Sequence, residues 1–362
     1  MTEENIQNQN QHYVSQYYFR EFTTRKNSIS LLIKKNGHST DDAAIKKQSS
    51  DIEFYGDSSV EKEITIHDTK FRLNHIEINA KKPTTKLSKS EFSILIENIA
   101  FQRKRTLKAR ITLMPLVEFT NDFILPQLER NDSNWPQELH DAVYETFKSS
   151  AQKHGARTWQ TIDLENIKES TKALSDLRYV ILENTSSTPF IFSDSPVVFS
   201  NHAFKNGQER SITHEGSAGL LVFFPLSPKK LVLLYDNENY DIDSASETYL
   251  TVEDTPTIDS INTLQIHEAI NSIYFNHPKH TTYVKTLWEK EKNRFNTNTN
   301  EVICLPELTT AGQATGRSIH TLAATTPNYF PTLSFLLSRR TTPSQTHPYR
   351  MGYIINYNYN PR

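Results

Sequence analysis

The chain is poor in residues that define several common kinds of functional site. Its one cysteine, Cys304, excludes an internal disulfide framework and a multi-cysteine zinc or iron–sulfur site within one chain. It has only nine glycines and neither a G-x-x-x-x-G-K-[ST] nor a G-x-G-x-x-G motif, so we expect no glycine-rich loop that cradles nucleotide phosphates. The H-E-x-x-H motif does not occur either, which excludes the common zinc hydrolases.

Excess charge and long apolar segments are also lacking. The 40 basic and 42 acidic residues nearly cancel, so binding to nucleic acid or to a membrane surface would have to come from a local patch. No apolar run approaches the roughly 20 residues of a membrane span. The polar segment 1–11 resembles neither a signal peptide nor a transit peptide. We therefore expect a cytoplasmic protein without a membrane partner.

What the chain does have is length and aromatic residues. Its 362 residues include 16 tyrosines and 19 phenylalanines, enough for a sizeable core despite a mean hydropathy of -0.61. Helical periodicity dominates residues 11–177, strand-like runs fill 178–236, and helical patterns return over 259–296. The order predicts an α+β fold, in which a helical N-terminal half packs on an antiparallel β-sheet and further C-terminal helices close it. We expect a flexible arm at 1–10, one domain over 11–300 and a Thr/Pro-rich extension over 305–362.

Local signals place individual elements within this plan. Ser88 followed by Glu91 has the spacing of a capping box and opens the clearest helix, predicted over 88–111. Aromatic residues at 13, 17, 18 and 22 predict a short helix with His12 at or just before its first turn. The other predicted helices cover 137–154, 164–177, 260–274 and 280–295, and the predicted strands cover 28–34, 178–183, 190–199, 219–224 and 230–235. Strand 190–199 is expected to pair antiparallel with 178–183, and strands 219–224 and 230–235 are expected to form a second hairpin around the loop 225–228.

One acidic residue, Asp194, lies inside the apolar run 190–199. As a functional residue it would be a metal ligand or a general base that a rigid strand end presents to a cleft. As a structural residue its carboxylate would accept backbone N–H groups in a turn before Pro196. The sequence leaves both interpretations open. Ser193 lacks a G-x-S-x-G elbow and is a poor candidate for a nucleophile.

Five short strings occur in the order of a known family's motifs. They are Gln11-His12-Tyr13-Val14, Tyr18-Phe19-Arg20-Glu21-Phe22, Arg105-Thr106, Phe192-Ser193-Asp194-Ser195-Pro196-Val197 and Phe224-Pro225-Leu226-Ser227-Pro228. Over residues 11 to about 275 the chain therefore resembles the bacterial Domain of Unknown Function 4238 family, whose members typically show Q-H-Y-V-P and F-x-T-S-D-N-P-V. It departs from the family at Ser15, Phe192 and Ser195, where Pro, Thr and Asn are usual. The resemblance implies which positions matter, and it suggests a bacterial stress or phage-defence context.

The motif positions supply a candidate site. We expect His12, Arg20, Arg105 and Asp194 to converge between the helices and the sheet. In a catalytic site, His12 would be an acid or base, Arg105 would hold the reacting phosphate, and Asp194 would hold a metal ion or orient water. Arg20 and Arg103 would bind substrate, although the basic end of the helix around Arg103 also has the simpler role of complementing the helix dipole. Buried arginines paired with Asp194 or Glu21 would give the same sequence.

Two functional hypotheses follow from this site. The first is a phosphodiester hydrolase of the nuclease type that acts on nucleic acid with a divalent metal, Mg²⁺ or Mn²⁺. The second is a non-enzymatic recognition or regulatory module, without a metal, whose motif residues form a buried structural network. A cluster sealed from water would favour the second hypothesis. The sequence does not predict the oligomeric state.

Overall fold

The computed structural model describes residues 10–56, 58–83, 85–130, 135–152, 155–205, 210–243, 248–295, 300–309, 313–339 and 349–357. Apart from Asn10, the predicted arm at 1–10 lies outside the described residues, as do 153–154 of the predicted helix 137–154. The helices are α1 Gln16–Glu21, α2 Ser58–Ala80, α3 Lys89–Lys104, α4 Leu107–Thr112, α5 Met114–Phe119, α6 Leu125–Glu129, α7 Gln137–Gln152, α8 Ala156–Glu165, α9 Ile167–Leu174, α10 Thr255–Glu268, α11 Thr281–Glu291 and α12 Met351–Tyr357. The strands are β1 Asn10–His12, β2 Ser28–Ile33, β3 Ser39–Ala44, β4 Ser50–Ile52, β5 Arg178–Asn184, β6 Phe192–Ser193, β7 Val198–Ser200, β8 Leu221–Ser227, β9 Lys230–Tyr235, β10 Tyr240–Ile242, β11 Tyr249–Val252, β12 Ser272–Phe275, β13 Glu301–Leu308, β14 Ala314–Ala323 and β15 Leu336–Ser338.

Two larger sheets organise the described residues. A five-stranded sheet has the order β11-β5-β9-β8-β7 and is antiparallel except for the β11–β5 pair. A four-stranded antiparallel sheet has the order β3-β2-β12-β6. Helices α1 to α9 precede the five-stranded sheet in the chain, and α10 and α11 follow it. The predicted α+β class is confirmed.

The run 190–199 is not one strand, and the prediction that it pairs with β5 was wrong. Its first part, β6, pairs with β12 in the four-stranded sheet, whereas β7 pairs with β8 in the five-stranded sheet. Residues 194–197 therefore cross from one sheet to the other. Pro196 has no backbone N–H to donate to a strand ladder, so a crossing is a favourable place for it.

Three predicted helices also differ from the structure. The capping box of Ser88 and Glu91 is present, but the predicted helix 88–111 is two helices, because Thr106 caps α4 by accepting the Ala109 N–H at 3.2 Å. Predicted helix 260–274 begins earlier, where Asp254 caps α10, and ends at Glu268; residues 272–275 form β12, whose backbone bonds both β2 and β6. Predicted helix 164–177 is α8 and α9, which meet at Asn166.

An aromatic cluster joins the N-terminal motif to both sheets. The Phe192 ring lies 4.5 Å from that of Phe22 and 5.0 Å from that of Tyr274. Tyr18 stacks on Phe224 at 5.4 Å, and its hydroxyl donates to the carbonyl oxygen of Pro225. All five rings are at most 1% exposed. The aromatic residues of three motifs are therefore core residues, and their burial stabilises the fold.

Residues after 300 also contact earlier parts of the chain. β13 and β14 form a hairpin, β15 pairs with β10, and α12 lies against α9. Arg350, which is 2% exposed, donates to both carboxylate oxygens of Asp176 at 2.9 Å. Among the described helices, none combines the length and the apolar character that crossing a membrane requires.

Candidate functional site

Asp194 lies at the start of the crossing between the sheets and is 1% exposed. Its Oδ1 accepts the Ile270 N–H at 2.8 Å, and its Oδ2 accepts the N–H groups of Asn271 and Ser272 at 2.7 and 3.3 Å. Its own N–H donates to the Ser272 carbonyl oxygen at 3.1 Å. The carboxylate therefore fixes the turn between α10 and β12 against the end of β6, which is the arrangement that its structural interpretation requires.

Burial raises the pKa of Asp194, although the three backbone N–H groups and the charge of Lys34 act in the opposite direction. Lys34 donates to the carbonyl oxygens of His267 and Ala269 at 2.8 and 2.5 Å, and burial lowers its pKa to about 8. Both charged groups are thus committed to the same turn at the end of α10.

Arg105 is 1% exposed and is held by several groups at once. Its guanidinium donates to the Ser15 hydroxyl at 2.8 Å, to Asp68 Oδ1 at 2.6 Å and to the His12 carbonyl oxygen at 2.6 Å. Burial alone would lower the pKa of Arg105, but Asp68 and the Tyr55 hydroxyl raise it above its usual range. Arg105 therefore pairs with Asp68 of α2, and not with Asp194 or Glu21.

His12 lies in β1 and not at the start of a helix. Burial and the neighbouring Arg105 charge lower its pKa, so the ring favours the neutral form. Its Nε2 is buried and has no hydrogen-bond partner among the described residues, and the same is true of Glu61 Oε2 on α2. Within the described part of the chain, His12 contacts Arg105 through its carbonyl oxygen, and neither residue bonds to Asp194.

The other two predicted arginines lie in different surroundings. Arg20 is exposed on α1, where it donates to Gln16 Oε1 at 3.0 Å. Arg103, at the end of α3, lies with its guanidinium 3.8 Å from the centre of the Phe199 ring. Arg103 lines two cavities of the described structure.

Two neighbouring cavities meet at Arg103, and together we call them the Arg103 cleft. The first, of about 160 Å³, lies between α4, the crossing at Ser195 and Val197, and Glu268 at the end of α10. The second, of about 200 Å³, extends past Phe199 to Tyr329 in the C-terminal extension. Both cavities are lined by the residues Arg103, Lys108, Thr112 and Glu268.

The charges of the Arg103 cleft are unevenly paired. Lys108 binds Glu268 at 2.6 Å, whereas Arg103 lies 3.8 Å from the same carboxylate. The hydrogen bond that Arg103 makes within the described residues is a long one, 3.4 Å, to the carbonyl oxygen of Val197. Burial lowers the pKa of Arg103, and the charge of Glu268 opposes that effect. Arg103 is therefore a partly enclosed cation whose donors are mostly unused.

Ser195 adds a polar group that the sequence analysis did not select. It is 3% exposed and lines the first cavity, and its Oγ has no hydrogen-bond partner among the described residues. A buried hydroxyl without a partner costs free energy unless a ligand or a water molecule satisfies it. The available signal was the departure from the family pattern at this position, where Asn is usual.

His267 is a second residue of the cleft that the sequence did not single out. His267 lines the cavity, stacks on Tyr329 at 5.2 Å and bonds Glu291 at 2.9 Å. Its partners come from α11 and from the C-terminal extension, so no local pattern would reveal them. Across the residues that the structure describes, no three His, Cys, Asp or Glu side chains are grouped so that they could hold a metal ion.

One of three comparisons with known proteins gave a match. A search of the curated proteins found no match to the chain, and neither did a search of the solved structures. The family described as "Protein of unknown function (DUF4238)" matches residues 10–279, which include β1, both larger sheets and the Asp194 crossing. Since this match covers well over half of the chain, the protein belongs to the DUF4238 family.

Proposed function

We propose that this protein is a non-enzymatic recognition module that binds a small phosphate-bearing molecule in the Arg103 cleft. In this proposal the motif residues Arg105 and Asp194 build the framework, and the ligand contacts Arg103 and Ser195 beside it. The observation that carries the proposal is the position of Arg103, a residue that lines both cavities and whose guanidinium makes one long hydrogen bond to the described residues.

The geometry of Arg103 suits an oxyanion. Guanidinium carries five N–H donors in a planar fork that matches phosphate oxygens in pairs. Stacking on Phe199 at 3.8 Å holds the plane of the fork, so less side-chain entropy is lost when an anion binds. An exposed arginine such as Arg20 lacks this support.

The size and lining of the cleft favour a small ligand over a polymer. Cavities of about 160 and 200 Å³ hold a phosphate group and a modest organic group, with the Ser195 hydroxyl on one side and the ring of Tyr329 on the other. The first cavity is electrically balanced when empty, because three cations and three carboxylates line it: Arg103, Lys104, Lys108, Asp163, Glu215 and Glu268. A bound phosphate would compete with Glu268 for Arg103, so this carboxylate limits affinity.

The hydrolase hypothesis has less support from the geometry. It assigns metal binding to Asp194, whose two carboxylate oxygens already accept three backbone N–H groups. It also assigns phosphate binding to Arg105, which is 1% exposed and bound by Asp68, Ser15 and the backbone of His12. Metal-assisted phosphodiester hydrolysis, with nucleic acid as partner, remains a prediction from the sequence. A cytoplasmic location and a role in bacterial stress or phage defence are proposals of the same kind.

Isothermal titration calorimetry with inorganic phosphate tests the binding proposal. Arg103→Met removes the charge and should abolish the heat of binding. The melting temperature should fall by no more than about 2 °C, because methionine can keep the apolar contact with Phe199 and Lys108 still neutralises Glu268. Arg20→Met is the matched control and should bind phosphate like the wild type. Equal binding by wild type and Arg103→Met would refute the proposal.

A nuclease assay separates the two functions. Single-stranded DNA and RNA are incubated with Mg²⁺ or Mn²⁺ and the wild type, His12→Ala or Asp194→Asn. We expect no cleavage above the background that all three proteins share. Metal-dependent cleavage by the wild type that both variants lose would establish the hydrolase instead.

A further inference from the structure

Helix α2 has two apolar faces, although a helix on the surface of a globular domain needs one. Its inner face carries Ile64 and Phe71, which are 3% and 1% exposed and belong to the main core. Its outer face carries Ile66, Leu73 and Ile76, whose exposed fractions are 70%, 58% and 42%. Three large aliphatic side chains on one exposed helix face are characteristic of a contact surface.

The spacing of the outer face is that of a helix-pairing seam. Ile66, Thr69, Leu73, Ile76 and Ala80 follow one another at intervals of three, four, three and four residues. That alternation is the heptad pattern by which two helices pack side by side. The seam is about 21 Å long at 1.5 Å per residue, and all five of its residues are exposed.

The charges beside the seam identify what would cover it. Lys70 and Glu77 lie on the same edge of the seam, seven residues apart, and both are exposed. Consider two copies of α2 packed antiparallel, with Leu73 of one copy against Ile76 of the other. In this register Lys70 of each copy lies beside Glu77 of the other, so the charge pair forms twice by symmetry. Lys70 also forms a salt bridge at 2.5 Å with Glu97 on α3 of the same chain, and its side chain is still 43% exposed.

A parallel pair is less favourable for two reasons. Lys62 continues the seam four residues before Ile66, so parallel helices would place two Lys62 ammonium groups together. Parallel pairing would also align the two helix dipoles, whereas antiparallel pairing opposes them.

We propose that α2 is a self-association surface through which two copies of this chain pair antiparallel. Thr69, Leu73, Ile76 and Ala80 form the centre of the contact, and Lys70 and Glu77 fix its register. The surface lies on the helix that supplies Asp68 to Arg105, and its function does not depend on ligand binding in the Arg103 cleft.

Light scattering coupled to size-exclusion chromatography tests the surface. The wild type should approach twice the chain mass of 41.8 kDa as its concentration rises into the micromolar range, and Leu73→Gln/Ile76→Gln should remain at 41.8 kDa. Because both side chains are exposed, the double variant should keep the circular dichroism spectrum of the wild type. Ile319→Gln, at a position that is 52% exposed on β14, is the matched control and should dimerise normally. A monomeric wild type at 100 µM, or a dimeric double variant, would overturn the proposal.

Charge exchange tests the orientation. Lys70→Glu and Glu77→Lys should each weaken the dimer at least tenfold, because each places like charges opposite one another twice. The double variant should recover most of the wild-type dissociation constant in an antiparallel pair. The internal Lys70–Glu97 contact stays broken in the double variant, so recovery can come only from the restored contact between the two copies. A double variant that dimerises no better than either single variant would overturn the antiparallel register.

Discussion

Replacing Arg105 by methionine should destabilise the protein by about 3–5 kcal/mol, the usual cost of breaking a buried ion pair. Methionine fills a similar volume, so the change removes the charge and the donors with little loss of packing. The side chain is 1% exposed and donates to Asp68, Ser15 and the carbonyl oxygen of His12. The result would identify Arg105 as a structural residue.

The magnitude follows from these three contacts. A hydrogen bond to a charged group contributes about 1.5–3 kcal/mol, and these three contacts are 2.6 to 2.8 Å long, shorter than the fourth, 3.4 Å to the Tyr55 hydroxyl. The sum is an upper bound, because Asp68 has a side chain that is 25% exposed and regains water when its partner is lost. A loss of about 3–5 kcal/mol is a large fraction of a typical total stability of 5–15 kcal/mol.

Urea unfolding followed by tryptophan fluorescence and circular dichroism measures the effect. Coincident transitions from the two probes would justify a two-state free energy. Arg20→Met is the control, since Arg20 is exposed and bonds only Gln16 among the described residues; it should change stability by about 0.5 kcal/mol or less. If Arg105→Met lies within 1 kcal/mol of the wild type, the structural assignment of Arg105 is wrong.

Three further changes test other parts of the account. Asp194→Asn should lower the free energy of unfolding by about 1–3 kcal/mol in the same urea assay, because the amide group places an N–H donor against a backbone N–H. Unchanged stability would contradict the anchoring of the α10–β12 turn by Asp194. Burial lowers the pKa of His75 on α2, so as the pH falls the unfolded state takes up the His75 proton before the folded state does. The free energy of unfolding should therefore decrease below about pH 6.5, by at most about 1.4 kcal/mol per pH unit. His75→Gln, which keeps a donor for the Leu226 carbonyl oxygen, should reduce that slope between pH 7 and 5, and an identical slope would refute the assignment. Glu268→Gln should strengthen phosphate binding in calorimetry, because it removes the carboxylate that competes for Arg103; weaker binding would contradict the proposed role.

The parts of the fold that the sequence predicted depend on local signals. Ser88 and Glu91 cap each other across one helical turn, so three residues contain the whole signal for the start of α3. The strands of the β8–β9 hairpin are close in sequence and strongly apolar, and their pairing was predicted for the same reason.

The elements that the sequence did not predict correctly depend on partners that are distant in the chain. Strand 190–199 is divided because β6 pairs with β12, about 80 residues later, and β5 pairs with β9 instead. Helix α2 was not predicted at all, since apolar residues on two faces leave no single stripe. Without α2, the sequence could not provide Asp68 as the partner of Arg105, 37 residues away.

In the candidate site too, local signals were predicted from the sequence and contacts with distant residues were not. The sequence singled out Asp194 as an acid in an apolar run, but it could not reveal that Ile270, Asn271 and Ser272 would fold back onto the carboxylate. It named Arg103 as a substrate-binding residue, and that remains a proposal. Ser195 acquires its importance only from the cavity that Arg103 and Glu268 enclose with it.

The most direct test of ligand binding in the Arg103 cleft is a crystal structure of the protein grown with inorganic phosphate. The account predicts one ordered phosphate within about 3 Å of both the Arg103 guanidinium and the Ser195 Oγ, with the Arg103–Glu268 distance longer than 3.8 Å. A cleft without phosphate at a concentration that saturates the calorimetric signal, or phosphate bound at Arg105 or His12 instead, would contradict it.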